Sequence, residues 1–314
     1  MMSEMKIKPF QLYSGLLCML VGIVLFIIMR YLLFHHGLWE NELVHSSMVA
    51  IDALIAIFMA LILYRKEQDD GTGKQFLLAV GFLCMGVLGM FHAIAPPGEG
   101  SVFLHSMGCL FGGFFFASIW LPQPIRHAFK RGWILWALGI CSILCGIWSL
   151  ILPGTLPVMV NNGEFSTAAV TINLFGGTLF LTGLFRFILD FRRSGTMENY
   201  LFACIALLFG ISGLSFGLST LWHTGWWFWH VLRFFAYTLA LWLLVRRYTM
   251  VAFKLNEKML KLTRVQASLE MERDNLNNIF ESMKDGIYVV NQQCDIQYVN
   301  PTLKKDFGNY EGRK

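Results

Sequence analysis

Charge is scarce in this 314-residue chain: Asp, Glu, Lys and Arg make up 14% of it, against 56% hydrophobic residues. Soluble domains carry charge on about a quarter of their residues, so the composition excludes a single soluble domain. A disulfide or zinc framework is lacking too. The seven cysteines are odd in number, lie mostly inside apolar runs and form no C-x-x-C, which reads as small packing residues. There is also no concentrated basic patch. The net charge of +5 is spread over short loops, a topology signal that argues against nucleic acid as a partner.

The charge that is present lies unevenly, with 24 of 45 charged residues in positions 1–245 and 21 in the last 69. This predicts a membrane body followed by a water-soluble tail. Crossing a hydrocarbon core of about 30 Å takes about 20 helical residues. Eight apolar runs have that length: 10–34, 43–64, 75–95, 101–121, 132–152, 168–189, 199–220 and 225–245. No small-residue cleavage pattern follows the first, so it is expected to be a retained span. Basic residues occupy alternate connections: Lys6 and Lys8; Arg65, Lys66 and Lys74; Arg126, Lys130 and Arg131; Arg186, Arg192 and Arg193; Arg246, Arg247 and Lys254. The connections 37–42, 96–100, 153–167 and 221–224 contain none. Because Lys and Arg are retained inside, both termini are expected in the cytoplasm. The longest outer loop, 153–167, is too short for a ligand-binding domain, so a stimulus would be received within or at the rim of the bundle. Gly108, Gly112, Gly176, Gly177, Gly210, Gly213 and Gly217 are expected at close helix contacts. Trp222, Trp226, Trp227 and Trp229 read as an aromatic belt.

Seven of the eight histidines fall at or near the outer face, leaving only His127 inside. His35, His36 and His223 sit in or beside loops and read as solvated. His45, His92, His105 and His230 belong to the second, third, fourth and eighth runs, each within about two turns of the outer end. Neutral imidazole is a common metal ligand. Two opposed rings suit axial ligation of haem b, whereas thioether neighbours Met48, Met90 and Met107 suit Cu(I). These four histidines are therefore the candidate cofactor or metal ligands, and hydrogen bonding within the bundle is their alternative role. Asp52 and Arg233 lie about 12 to 14 Å below the outer boundary. They are expected to form a buried ion pair, since an unpaired charge there costs about 3 kcal/mol or more. Arg233, three residues after His230, is also a candidate partner for a cofactor propionate or an anion.

After the last run, Leu255, Leu262, Leu269, Leu276 and Met283 recur every seven residues, with Ala252, Met259 and Phe280 on the alternate seam and Gln266 and Arg273 as polar breaks. The pattern predicts a parallel coiled coil over 249–280 that continues the last membrane helix and makes a homodimer. A helix end near Asp285 and Gly286 and strands at 287–291 and 296–299 are expected next.

The succession Asp285, Gly286, Ile287, then Tyr298, Val299, Asn300, Pro301, then Phe307, Gly308 and Gly312 resembles the start of a PAS domain. It covers only the opening part of one, so residues 281–314 are expected to be an incomplete α+β PAS start. The fold class is thus an all-α polytopic membrane domain over 1–248, followed by the coiled coil and this start. Such a layout is similar to the membrane-associated sensor (MASE) families, which feed bacterial histidine kinases and diguanylate cyclases. The resemblance implies a sensory input module in the bacterial inner membrane. Its output, a two-component histidine kinase or a cyclase, would lie downstream in a parent chain. Nothing of a kinase or cyclase is present here, so no catalytic residue is assigned. A membrane haem or copper oxidoreductase, or a transporter, is the alternative; against the transporter, no paired broken helices and no repeat between halves are evident.

Overall fold

Backbone polar groups that enter hydrocarbon must be satisfied within their own segment, so long apolar runs become helices. The computed structural model describes residues 37–129 and 132–308. The expected first span, with Lys6, Lys8, His35, His36, Lys130, Arg131 and Gly312, lies outside the described residues. Helix α1 is Glu42–Asp70, α2 Lys74–Ile94 and α3 Glu99–Ala117, which is extended by a 3-10 turn at Ser118–Trp120. Short α4 (Gln123–Phe129) precedes α5 (Gly132–Ile151), α6 (Thr167–Ser194) and α7 (Met197–Phe216). Among the described residues six helices are long and apolar enough to cross a membrane, namely α1, α2, α3 with its 3-10 turn, α5, α6 and α7. They coincide with the second to seventh expected runs. The run at 225–245 falls inside α8 (Thr224–Ser282), a longer helix that is not among those six. The architecture is an all-α, multi-pass membrane fold.

The chain divides into two compact units, Met1–Val245 and Arg246–Lys314. In the first, α1 packs on α2, α2 on α3 and α5, α3 on α6, and α6 on α7. Lipid is as apolar as leucine, so these contacts depend on close fit rather than on escape from water. Helix α5 shows this well. Its buried face is Leu135, Gly139, Ser142, Gly146 and Ser149, while Trp133, Trp136, Ile140 and Leu144 face outward. The glycines expected at contacts include Gly177, on which a Cβ would stand 2.9 Å from the Gly210 carbonyl oxygen.

Polar groups hold the ends of this unit. At the α1–α2 turn the Glu67 carboxylate, fully buried, accepts hydrogen bonds from the backbone N–H of Gly73 (2.7 Å), Gln75 (3.1 Å) and Phe76 (3.2 Å). It thereby satisfies donors that the start of α2 would otherwise leave open. Lys66 meets Glu198 at 2.5 Å, Lys74 donates to Asp190 at 2.8 Å and to Asn199 at 2.6 Å, and Arg186 pairs with Asp190 at 3.2 Å. These bonds tie α1 and α2 to α6 and α7. At the other end, strands β1 (Val160–Asn161) and β2 (Glu164–Phe165) form a hairpin through Asn162 and Gly163, both at positive φ, as an Asn-Gly turn requires. Glu99 pins the hairpin by accepting from the backbone N–H groups of Met159 and Val160.

In the second unit, the rest of α8 leads to β3 (Tyr288–Val290), β4 (Ile296–Val299) and α9 (Pro301–Phe307), with β3 and β4 antiparallel. The strands match those expected at 287–291 and 296–299. Asn300, fully buried, organises the segment. Its Oδ1 accepts from Leu303 N–H at 3.0 Å, capping α9, and from Ile287 N–H at 2.9 Å; its Nδ2 donates to the Asp285 carbonyl at 2.9 Å. On α8 the leucines 255, 262, 269 and 276 are 50 to 67% exposed.

Candidate metal centre

A close approach of α1 and α2 sets the centre. A Cβ on Gly86 would stand 2.7 Å from Ile57 Cγ1, and one on Gly89 3.1 Å from Ala53 Cβ. His92 lies about one helical turn beyond Gly89, and His45 about two turns beyond Ala53 in the same direction. The two rings meet edge to face with centroids 5.1 Å apart.

His230 joins them from α8. Its Nδ1 donates to the Trp226 carbonyl oxygen at 3.0 Å. A carbonyl can only accept, so in the neutral ring Nδ1 carries the proton and Nε2 presents its lone pair. That Nε2 is 3.0 Å from His45 Nε2. One ring nitrogen from each of His45, His92 and His230 lies within 4.8 Å of the others. All three residues are buried, and neither nitrogen of His92 has a hydrogen-bond partner.

His105, also buried, stands beside the triad with its ring centroid 5.7 Å from His92 and 6.0 Å from His230. An Arg233 Nη1–H points to its Nε2 at 3.5 Å. A small cavity of about 20 Å³ adjoins these groups, lined among others by Asp52, His92, His105, His230, Arg233 and Tyr237. Of the methionines, Met85 lines it, rather than Met48, Met90 or Met107.

Two expectations need correction. Asp52 and Arg233 do not form a direct ion pair. Both line the cavity, and Asp52 Oδ1 is buried without a hydrogen-bond partner. Equal depth along two helices does not fix the rotation of each about its axis. The tryptophans are not a lipid-facing belt either. Trp222, Trp226, Trp227 and Trp229 are all buried. Trp229 stacks on His230 at 3.7 Å between centroids, and Trp226 lies 4.1 Å from His230 and 4.8 Å from His45. They turn inward because the 37–41 segment folds over them: Trp39 N–H donates to the Trp222 carbonyl at 3.1 Å, and Trp227 Nε1–H to the Trp39 carbonyl at 2.8 Å. The aromatic wall keeps water from the imidazoles. His223 is exposed in the connection between α7 and α8, and His127 is exposed on α4 beside Gln123 at 3.3 Å. Tyr237 was not foreseen, although its spacing of four from Arg233 and seven from His230 puts it on their face.

Imidazole nitrogens 2.0 to 2.1 Å from a tetrahedral ion stand about 3.3 Å apart, close to the 3.0 Å between His45 and His230. Haem needs a slot for its whole macrocycle between two axial rings. Among the described residues, the His45–His230 contact and the 20 Å³ cavity leave no such slot beside the triad. An all-imidazole donor set suits Zn, Cu, Fe or Ni. The Nδ1–H bond of His230 to a backbone carbonyl is the outer hydrogen bond that orients a metal-binding histidine. No family model, curated protein or solved structure matches this chain.

Proposed function

We propose that this chain is the membrane sensory input module of a bacterial signal-transduction protein, and that its stimulus acts at a transition-metal ion held by His45, His92 and His230. The observation that carries this reading is the convergence of three buried imidazoles, with both nitrogens of His92 unpartnered. A buried polar atom without a partner costs about 1 to 3 kcal/mol, and ligation removes that cost. The 3.0 Å contact between His45 and His230 favours a single ion, copper among the suitable ones, over haem b.

A centre assembled from α1, α2 and α8 is sensitive to their relative placement, because ligation tolerates only small changes in distance. Helix α8 carries His230 and also the heptad leucines, so a change at one end of the helix has a covalent path to the other. The exposed stripe of Leu255, Leu262, Leu269 and Leu276 supports a parallel coiled-coil homodimer. The β3–β4 hairpin and the Asn300 cap support reading 281–314 as a PAS start, with kinase or cyclase output downstream in a parent protein. Eight spans in the inner membrane with both termini cytoplasmic, as in MASE-type sensors, complete the proposal.

The test is metal analysis of detergent-purified protein, together with crosslinking of Leu262→Cys with and without chelator. One metal per chain, lost in His92→Ala and His230→Ala, and a crosslinking pattern that changes on chelation are expected. Protein that takes up none of copper, zinc, nickel or cobalt would sink the reading. Quinol turnover by the loaded protein would favour an oxidoreductase instead.

A further inference from the structure

Resting on that metal reading, we infer that the cavity beside the triad receives a small inorganic anion, bound to the ion at its fourth position and held by Arg233. Three histidines leave one position open on a tetrahedral ion, and the cavity touches two of the three, His92 and His230.

Charge balance then favours an anion. Neutral imidazoles and the Tyr237 phenol add no charge, and the Arg233 guanidinium is cationic. A divalent ion therefore adds two positive charges to a site whose other lining residues include Val49, Ala53, Met85 and Leu104. Uncompensated charge inside a bundle is costly, and one anion at the fourth position offsets part of it. Arg233 is suited to hold that anion. Its guanidinium forms a fork of five N–H donors and lines the cavity, and its bond to His105 is long, at 3.5 Å.

Size sets the class. A space of about 20 Å³ exceeds the roughly 10 to 15 Å³ needed for one water. It admits a halide or a short linear anion but not a tetrahedral oxyanion such as sulfate. Asp52, with Oδ1 unpartnered, lines the same cavity.

The experiment loads the whole purified chain with Co²⁺, whose visible absorption reports coordination, and titrates sodium azide at constant ionic strength with sodium sulfate as control. One cobalt per chain and a saturable azide shift are expected, with no response to sulfate. Arg233→Gln should weaken azide about tenfold at unchanged cobalt content, and Arg233→Lys should weaken it less. If Arg233→Gln fails to fold, Arg233→Lys carries the comparison. Cobalt bound through His92 and His230 with no azide shift, an equal response to sulfate, or an azide affinity indifferent to residue 233 would overturn the anion inference and leave the metal reading standing. No cobalt uptake, or uptake unchanged in His92→Ala and His230→Ala, overturns both.

Discussion

At the scale of single residues, His92 and Glu67 are both buried polar groups held in opposite ways. Glu67 is satisfied by three backbone donors, whereas neither ring nitrogen of His92 has a partner. Removing each should therefore have a different signature. His92→Ala should abolish metal binding with little loss of fold, and His127→Ala should change neither, as metal content and thermal unfolding in detergent can show. Glu67→Ala should lower stability by about 3 kcal/mol, since three N–H groups lose a charged acceptor, and leave metal content unchanged; an unaltered unfolding midpoint would count against this. The sequence made His45, His92, His105 and His230 legible through depth alone, because counting residues from a span end measures height in the membrane. Depth does not measure azimuth. That is why the tryptophans read as a belt, and why Asp52 and Arg233 read as a directly bonded pair.

Among elements, the contact of α1 with α2 decides whether a centre exists. A Cβ at position 86 meets Ile57 Cγ1 at 2.7 Å and the Ala53 carbonyl oxygen at 3.0 Å, and backbone cannot yield as a side-chain tip can. Gly86→Val should force the helices apart at a cost of about 1 to 3 kcal/mol and weaken metal binding, although residue 86 touches no ligand. Gly154→Val is the control, since a Cβ there meets nothing within 4 Å. Equal metal affinity in the two variants would separate helix spacing from the centre. The sequence hid other contacts for a related reason. Lys66, Lys74 and Arg186 count toward topology as loop cations, yet Lys66 bonds Glu198 and Lys74 bonds Asp190 between helices, while Arg186 pairs with Asp190 within α6. Loop charge was counted and pairing was not, because pairing needs the helix order. By contrast, the β3–β4 hairpin was readable locally: the turn between the strands is closed by Asn291, whose Oδ1 accepts from Gln293 and Asp295 N–H.

For the whole molecule, orientation in the membrane decides which solution reaches the centre. The histidine layer and the β1–β2 hairpin share the end of the bundle whose connections hold no Lys or Arg, the end that the proposed topology places outside. A cysteine in the hairpin should then react with a membrane-impermeant thiol reagent added to intact cells. Glu164 is the position to use. It is exposed on β2 at an ordinary φ, whereas Gly163 sits at φ 83° and would be strained by any side chain. The native Cys294, exposed in the turn between β3 and β4, is the internal standard for the opposite side. Replacing the exposed Cys141 by alanine lowers background, and the buried Cys84, Cys109 and Cys204 are shielded from the reagent. Labelling of Glu164→Cys in intact cells, with Cys294 reacting only after lysis, is the expected result. Labelling of Cys294 in intact cells, with Glu164→Cys protected, would invert the orientation and make the centre a receiver of cytoplasmic ions.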